Sequence, residues 1–561
     1  MIPTRSRLTY GLIAVVGALT AGPVLMLLLG SFSKGLTAFG SFTLQKYIEA
    51  YSDPALFEVI GNTVVFVVGA SVTATGLALF LAYLNNRTDI PFKGLFGMIS
   101  VLPMMIPHLL FAVSWALLLN PSNGMLNVAL RDAFDLKGTP FNAYSLPGMI
   151  LVEGLLDMPV AYLIIAPAMA SFDVTLEESS RVFGAGTWRT LLRVTLPVLR
   201  PAILAAFVLG IVRALAAFAV PTVLGMPGRV GVLSTYLYGL VALGFAPDYG
   251  KAAAVGMSVL ATSVTLIVIY RALTTEGERF VTVTGRGYRP TMIELKAAKI
   301  PLFLAIASLL LVLVVLPVIV LLYTSLVPYS MVPSAKAFAL MSWKHWIEVV
   351  RDPISLLSLK NSLFLGVAGA TVGVALSVLV AYVIVRVRSR ASGILESLSF
   401  LSFSFPGIVI GVGFMWFLVQ TPLYATIWAL LIGYVATYLP YGIRPLTSAF
   451  VQLHSSLEES SLVCGASQFT TMRRIVIPLL IPGIVSAWIL MASMFVRELT
   501  LSVILSRPGT EVLAVQILNF ANDGLWGKLS ALGIMMILIS TTLVLLATTI
   551  GAKLRGEQAA G

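Results

Sequence analysis

Apolar runs of about 20 residues recur from one end of this chain to the other, and each is the length that crosses roughly 30 Å of hydrocarbon as a helix. Inside lipid no water satisfies a backbone N–H or C=O, so such runs close their hydrogen bonds within themselves as helices. The runs fall near residues 9–31, 62–84, 96–119, 146–170, 202–225 and 252–272, then near 301–326, 361–384, 396–418, 425–447, 483–505 and 529–551. They are continuous and do not alternate in polarity, which argues against a β-barrel. A mean hydropathy of +0.97, with 11% charged residues, excludes a water-soluble globular domain. The expectation is an all-α membrane protein of twelve transmembrane helices. The first run follows Arg5 and Arg7 but is too long for the apolar core of a signal peptide, and it has a counterpart at 301–326.

The basic residues orient the spans. With the N-terminus in the cytoplasm, 22 of the 36 Lys and Arg residues lie on the cytoplasmic side and 12 on the other, with Arg213 and Arg497 inside spans. Both termini are therefore expected in the cytoplasm, and the formal charge of +12 reads as topology, with no nucleic-acid partner implied. The single Cys464 permits no disulfide within the chain and reads as a small packed residue. His108, His345 and His454 are too scattered for a zinc-type ligand set, so no stable metal site is expected. Gly250-Lys251 and Gly527-Lys528 are followed by Ala and Leu, where a phosphate-binding loop needs Ser or Thr. The chain is expected to bind no nucleotide and to be no enzyme.

The sequence is one unit written twice. Tyr47-Ile-Glu-Ala-Tyr-Ser-Asp-Pro54 lies over Trp346-Ile-Glu-Val-Val-Arg-Asp-Pro353 at an offset of 299, which also pairs Asn62 with Asn361, Arg87 with Arg386 and Pro107 with Pro406. Later the offset becomes 281, pairing Pro159 with Pro440, Glu178 with Glu459, Gly184 with Gly465, Pro197 with Pro478 and Pro201 with Pro482. The first half thus carries 18 extra residues in the loop around 120–145. Six spans in each half make the repeats parallel, related by an axis along the membrane normal. The expected organisation is a first half over 1–274, a cytoplasmic linker over 275–300 and a second half over 301–561.

Two polar loops, 172–201 and 453–482, interrupt the apolar pattern at matching places. Each has a Glu, a Gly six residues on, a Pro thirteen further and another Pro four beyond that. The glycines suit a turn between two short helices, and the prolines suit the first turn of the next span. Between them, "GTWRTLLRVTLP" and "SQFTTMRRIVIP" read as short amphipathic helices along the membrane surface. Lipid contact explains the amphipathicity but not the duplicated spacing, which is better explained as a docking point for two copies of a partner.

"EESSRVFGAGTWRTLLRVTLP" and "EESSLVCGASQFTTMRRIVIP" resemble the Glu-Ala-Ala loop of ATP-binding-cassette importer permeases, with Ser179-Ser180 and Ser460-Ser461 in place of the alanines and Val194 and Ile477 as aliphatic exchanges. The resemblance implies that each loop seats in a groove of an ATPase subunit, with Glu178 and Glu459 anchoring it, Gly184 and Gly465 making its turn, and Pro197 and Pro478 leading into the next span. It implies as partners two copies of that ATPase, which would use the ATP and magnesium, and a periplasmic substrate-binding protein. The fused halves, the linker "GERFVTVTGRGYRP" and "RELTLSVILSRPG" look most like ferric-iron importer permeases. Similar permeases serve thiamine, aminoethylphosphonate or polyamines.

A secondary transporter also offers six plus six parallel spans, but it gives no reason for twin docking loops. Ionisable groups inside spans are costly and point to function or to pairing. Glu153 and Asp157 share a helical face in the fourth span, and the 281 offset places Tyr434 and Tyr438 at the matching positions of the tenth. These four hard oxygen donors are the candidate substrate pathway, suited to transient Fe(III). The competing reading makes the two carboxylates partners of Arg213 and Arg497 and the tyrosines interfacial anchors. Arg497-Glu498 reads as an internal pair.

Overall fold

The computed structural model describes residues 2–34, 42–94, 97, 100–243, 247–277, 292–387 and 389–560. Most of the expected linker, residues 278–291, lies outside them, as do three residues at the start of the expected third span. Among the described residues nine helices are long and apolar enough to cross a membrane, and the 26-residue helix Ile427–Gln452 takes the place of the tenth expected span. The fold class is all-α.

Several helix ends follow from local chemistry. Pro54–Arg87 and Pro353–Phe364 each begin with Pro in the first turn, where its missing N–H costs nothing. Each is capped by the preceding acid: Asp53 Oδ1 accepts from Ala55 N–H at 3.0 Å and Asp352 Oδ2 from Ser355 N–H at 2.9 Å. The duplicated Asp-Pro pair thus starts the second span of each half about two turns before the apolar run. The Asn pair of the same register also does one job twice: Asn62 Nδ2 donates to Gly231 O at 3.3 Å, and Asn361 Nδ2 to Glu511 O at 2.9 Å.

Two pairs of expected spans are drawn differently. The third spans, 96–119 and 396–418, are not single long helices: Pro107 and Pro406 stand before twelve-residue helices, His108–Leu119 and Gly407–Leu418, with 3-10 turns ahead of them. A proline supplies no N–H to continue a helix through it, so the apolar run is broken where the repeat itself places a Pro. The fifth spans, expected at 202–225 and 483–505, instead run over Thr187–Ala216 and Gln468–Val496. Ala217 turns extended (ψ 132°), and the apolar sequence beyond continues as short segments, Pro221–Gly225 and Ser502–Leu505. Hydropathy alone does not distinguish a span from a buried re-entrant segment.

The described chain forms two compact units. One comprises Met1–Ser52, Leu237–Leu260 and Trp343–Gly561, the other Asp53–Tyr236 and Ala261–Ser342. Each unit therefore contains the first span of the other sequence half. In the first unit the helix Ile2–Ser31 packs on Arg390–Ser399 and Gly407–Leu418. The contact is close because Gly413 has no side chain: a Cβ there would lie 2.7 Å from the backbone oxygen of Pro23. In the second unit Leu316–Leu326 packs on His108–Leu119, and Ser114 Oγ donates to Pro317 O at 3.1 Å.

Gly413→Val is expected to cost roughly 1–3 kcal/mol as an overpacked contact, read as a lower unfolding temperature of the detergent-solubilised chain. Gly61→Ala, a helix-interior position where a Cβ meets nothing within 4 Å, is the control and does not lower that temperature.

Candidate functional site

The twin loops fold alike, each within its own unit. A short helix, Thr175–Val182 or Ser456–Val463, ends at the predicted glycine. Gly184 has φ +79° and Gly465 φ +86°, the left-handed conformation that only glycine adopts freely. Gly184 N–H donates to Arg181 O at 2.9 Å and Ala185 N–H to Ser180 O at 3.1 Å; Gly465 to Leu462 O and Ala466 to Ser461 O repeat this at 3.0 and 3.1 Å. This is the paired 5→2 and 6→1 bonding of a Schellman cap, which satisfies the last carbonyls of the helix.

Past the turn the structure departs from the expected pair of short helices. The chain enters directly the long helix Thr187–Ala216 or Gln468–Val496, so the amphipathic stretch is the first turns of the span and not a separate helix. Pro197 and Pro478 sit just after one-turn π segments, Leu191–Thr195 and Met472–Val476. There Leu196 N–H reaches Leu191 O, and Ile477 N–H reaches Met472 O, five residues back. The wider turn lets the helix run through a proline that offers no donor. The serines that replace the family's alanines also have a use. Ser180 Oγ lies 3.0 Å from Thr190 Oγ1 and Ser461 Oγ 2.8 Å from Thr471 Oγ1, so a hydroxyl bond ties the two arms of each loop.

The carboxylate that turns inward is the first of each Glu-Glu pair. Glu177 and Glu458 are buried, at 3% and 8% exposure, whereas Glu178 is half-buried and Glu459 exposed. Arg87, the last residue of the second-span helix, places Nε 3.6 Å from Glu177 Oε1 and donates from Nη2 to Met169 O at 3.0 Å. Arg386, at the same place in the other half, donates from Nε to Glu458 Oε1 at 2.7 Å and from Nη2 to Leu453 O at 2.9 Å. In the first half Thr195 Oγ1 also donates to Glu177 Oε1, at 2.7 Å. Each Arg thus fastens the end of the second span to the end of the fourth and to the loop helix. The duplicated Arg was visible in the register, but the choice between adjacent glutamates depends on which face of Thr175–Val182 turns inward, where Val174 and Glu177 share one side.

The outer faces of the loops are apolar. Val182 and Phe183 are 84% and 89% exposed, Trp188 71%; at the matching places Val463 is 87% exposed, Cys464 exposed and Phe469 75%. Cys464 is therefore not the packed small residue its sequence context suggests. Large apolar side chains displayed at the same positions of two rigid loops have the composition of a protein-docking surface.

The intramembrane candidates are held differently. Asp157 Oδ1 accepts from Arg213 Nε at 2.7 Å and Asp157 is 3% exposed, so this carboxylate has the arginine partner that the competing reading assigned it. Its Oδ2 is buried without a hydrogen-bond partner. Glu153, one turn away, is 5% exposed, and among the described residues no hydrogen bond reaches its carboxylate. In the other unit Tyr438 OH donates to Glu498 Oε2 at 2.7 Å, Tyr434 OH lies 2.6 Å from Ser502 Oγ, and Leu501 N–H donates to Glu498 Oε1 at 2.6 Å. Both Glu498 oxygens are therefore taken by groups other than Arg497. No cluster of three or more His, Cys, Asp and Glu suited to a metal occurs among the described residues.

Comparison with known proteins agrees with this arrangement. The chain matches the family described as "Binding-protein-dependent transport system inner membrane component" twice, over residues 74–276 and 373–556. It is 28% identical over 535 residues to the ferric transport system permease protein FbpB of Actinobacillus pleuropneumoniae, covering 93% of this chain and 75% of that one. It is 23% identical over 536 residues to the Fe(3+)-transport system permease protein FbpB 2 of Haemophilus influenzae, covering 94% and 95%. The spermidine/putrescine permease protein PotC of Haemophilus influenzae is 27% identical over 218 residues, 38% of this chain and 85% of that one. With two matched segments, two capped loops at one spacing and an all-helical membrane fold, the chain is a permease subunit of an ATP-binding-cassette importer and belongs to the family of binding-protein-dependent transport system inner membrane components.

Proposed function

We propose that this chain carries ferric iron from a periplasmic binding protein into the cytoplasm, driven by two copies of an ATPase subunit that dock on its two loops. As an importer permease it works with ATPase and binding-protein partners and does no chemistry on its cargo. The observation that carries the coupling role is the pair of identically capped loops with exposed apolar faces at matching positions. Iron is favoured because the ferric permeases align over nearly the whole fused chain, whereas the polyamine permease aligns over 38% of it. In this reading both loops and both termini face the cytoplasm, and one chain supplies both docking points. Closure of the ATPase pair on ATP then biases the permease between inward- and outward-facing states. The chain itself holds no nucleotide.

Fe(III) cannot cross a low-dielectric core without oxygen ligands in place of water, held weakly enough to let it leave. Among the proposed pathway residues Glu153 is the group best fitted to this, because it is buried and carries no hydrogen-bond partner among the described residues. Asp157 is committed to Arg213, and Tyr434 and Tyr438 would each have to leave an existing hydrogen bond to take part.

Five outcomes test the reading. A strain lacking the chain is expected to lose uptake of radiolabelled ferric iron and to regain it on complementation; intact iron uptake with loss of thiamine, aminoethylphosphonate or polyamine uptake would replace iron as the cargo. The purified complex is expected to contain one copy of this chain and two ATPase subunits by native mass, and two permease chains per ATPase pair would refute that assembly. Gly184→Val with Gly465→Val forces β-branched residues into left-handed turns, at roughly 1–2 kcal/mol each or more, although space for a Cβ exists. The double variant should reach the membrane yet lose at least tenfold of transport per ATP hydrolysed; wild-type coupling would exclude a docking role. Glu153→Gln should abolish iron uptake with assembly intact. Asp157→Asn should instead lower stability, by less than the roughly 3–5 kcal/mol of a broken fully buried pair, since Arg213 is 32% exposed.

A further inference from the structure

Among the described residues, the seat of the first loop has a member that no contact at the second repeats. Beyond Arg87 the chain becomes extended at Thr88 (φ −116°, ψ 166°) and pairs in parallel with Ile293, which lies just ahead of the second half's first span. Ile293 N–H donates to Arg87 O at 2.9 Å, and Asp89 N–H donates to Ile293 O at 3.1 Å. Asp89 gives both carboxylate oxygens to the same segment: Oδ1 accepts from Leu295 N–H at 2.9 Å and Oδ2 from Lys299 Nζ at 2.9 Å. The Leu295 N–H, and then Lys299, hold this carboxyl below the usual range, so it is ionised at any physiological pH. The 299 offset puts Val387 and Arg388 opposite Thr88 and Asp89, so the second half has no carboxylate at that place.

The connection is mechanical as well as local. Arg87 fastens the end of the second span to Glu177 on the loop helix, and its own carbonyl is bonded by Ile293. Residues 293–295 lead straight into the helix Lys296–Leu326, which belongs to the same compact unit. A displacement of the first loop therefore pulls through Arg87 on this strap and on the helix behind it. Resting on the permease reading above, we propose that Arg87 and Arg386 are positioning residues for the two ATPase-facing loops, and that Ile293–Lys299 straps the first seat alone, so that the loops respond unequally to the ATPase pair. The strap acts as a restraint on ATP-driven closure in the first half, and the second loop is held by Arg386 without it.

The test uses the full complex with its ATPase subunits in proteoliposomes, with ATP hydrolysis measured per assembled complex. Asp89→Asn with Lys299→Met, which leaves Arg87 and Glu177 in place, is expected to raise hydrolysis without binding protein at least threefold at unchanged subunit ratio. Asp89→Glu should keep the wild-type rate, and Arg388→Gln should change nothing. Glu177→Gln and Glu458→Gln should each lower the rate stimulated by binding protein about tenfold while the ATPase still co-purifies. A wild-type basal rate in the Asp89–Lys299 double variant, or an equal rise in Arg388→Gln, overturns the strap; wild-type stimulated rates in both Glu variants overturn the positioning role. A second measurement needs no ATPase. In a Cys464→Ser background, Thr88→Cys with Ile293→Cys should form a disulfide in membranes that keeps the fragments joined after cleavage at a protease site placed between 278 and 291. Absence of that crosslink refutes the strap by itself. If the wild-type chain binds no ATPase, it is the permease reading that fails, and the crosslink still decides the strap.

Discussion

A hydrocarbon interior offers no hydrogen bonds, and nearly every irregular feature of this protein is an answer to that constraint. Backbone groups close within helices, and where a proline removes a donor the chain adapts locally. Pro197 and Pro478 are absorbed by π turns whose bonds reach five residues back, while Pro107 and Pro406 end one segment and begin another. Side chains obey the same rule. Asp157 and Tyr438 occupy equivalent positions in the two halves, one an acid and one a phenol, and each takes a partner from the end of the next span: Arg213 for the acid, Glu498 for the phenol. The repeat has kept the place of a polar contact while exchanging its donor and acceptor.

What the sequence made legible follows from which signals are local. Spans, their parallel duplication and the Gly184 and Gly465 turns rest on apolar run length, register and a backbone conformation that glycine alone adopts freely, all readable from neighbouring residues. The Asp-Pro starts at 53–54 and 352–353 were visible as a repeat, and their capping role is the chemistry that two such residues dictate at a helix start. Short buried segments such as Ser502–Leu505 were not legible, because a buried apolar strip reads the same whether or not it spans. The inward glutamates were not legible either: adjacent Glu177 and Glu178 differ only by 100° of helix, and tertiary packing decides which is buried. Nor does sequence order give the packing of the first spans, since Ile2–Ser31 and Leu316–Leu326 each join the unit built mainly from the opposite half.

Duplication makes departures from symmetry informative. Both loops share the cap, the hydroxyl tie and the buried Arg–Glu contact, so those features belong to the task both perform. The differences concentrate around the first seat. There Glu177 is shared between Thr195 and Arg87, whose Nε stands 3.6 Å away, whereas Glu458 bonds Arg386 directly at 2.7 Å. The loosened ion pair lies beside the added Thr88–Ile293 bridge.

That pattern has a physical logic. A buried Arg–Glu pair gains little net stability over an apolar contact, since desolvation offsets most of the attraction, but removing one partner is costly because it strands a charge. Such a pair is a poor source of free energy and a good means of fixing position: the loop cannot leave the ends of the second and fourth spans without stranding Glu177 or Glu458. A stiff attachment of this kind is what a loop needs if force applied to its apolar outer face is to move helices instead of bending the loop. In the second half one arginine, bonded to Glu458 and to the Leu453 carbonyl, supplies the attachment. In the first, the arginine's carbonyl and the following carboxylate are held by the connector as well, so the same force meets the resistance of a further span.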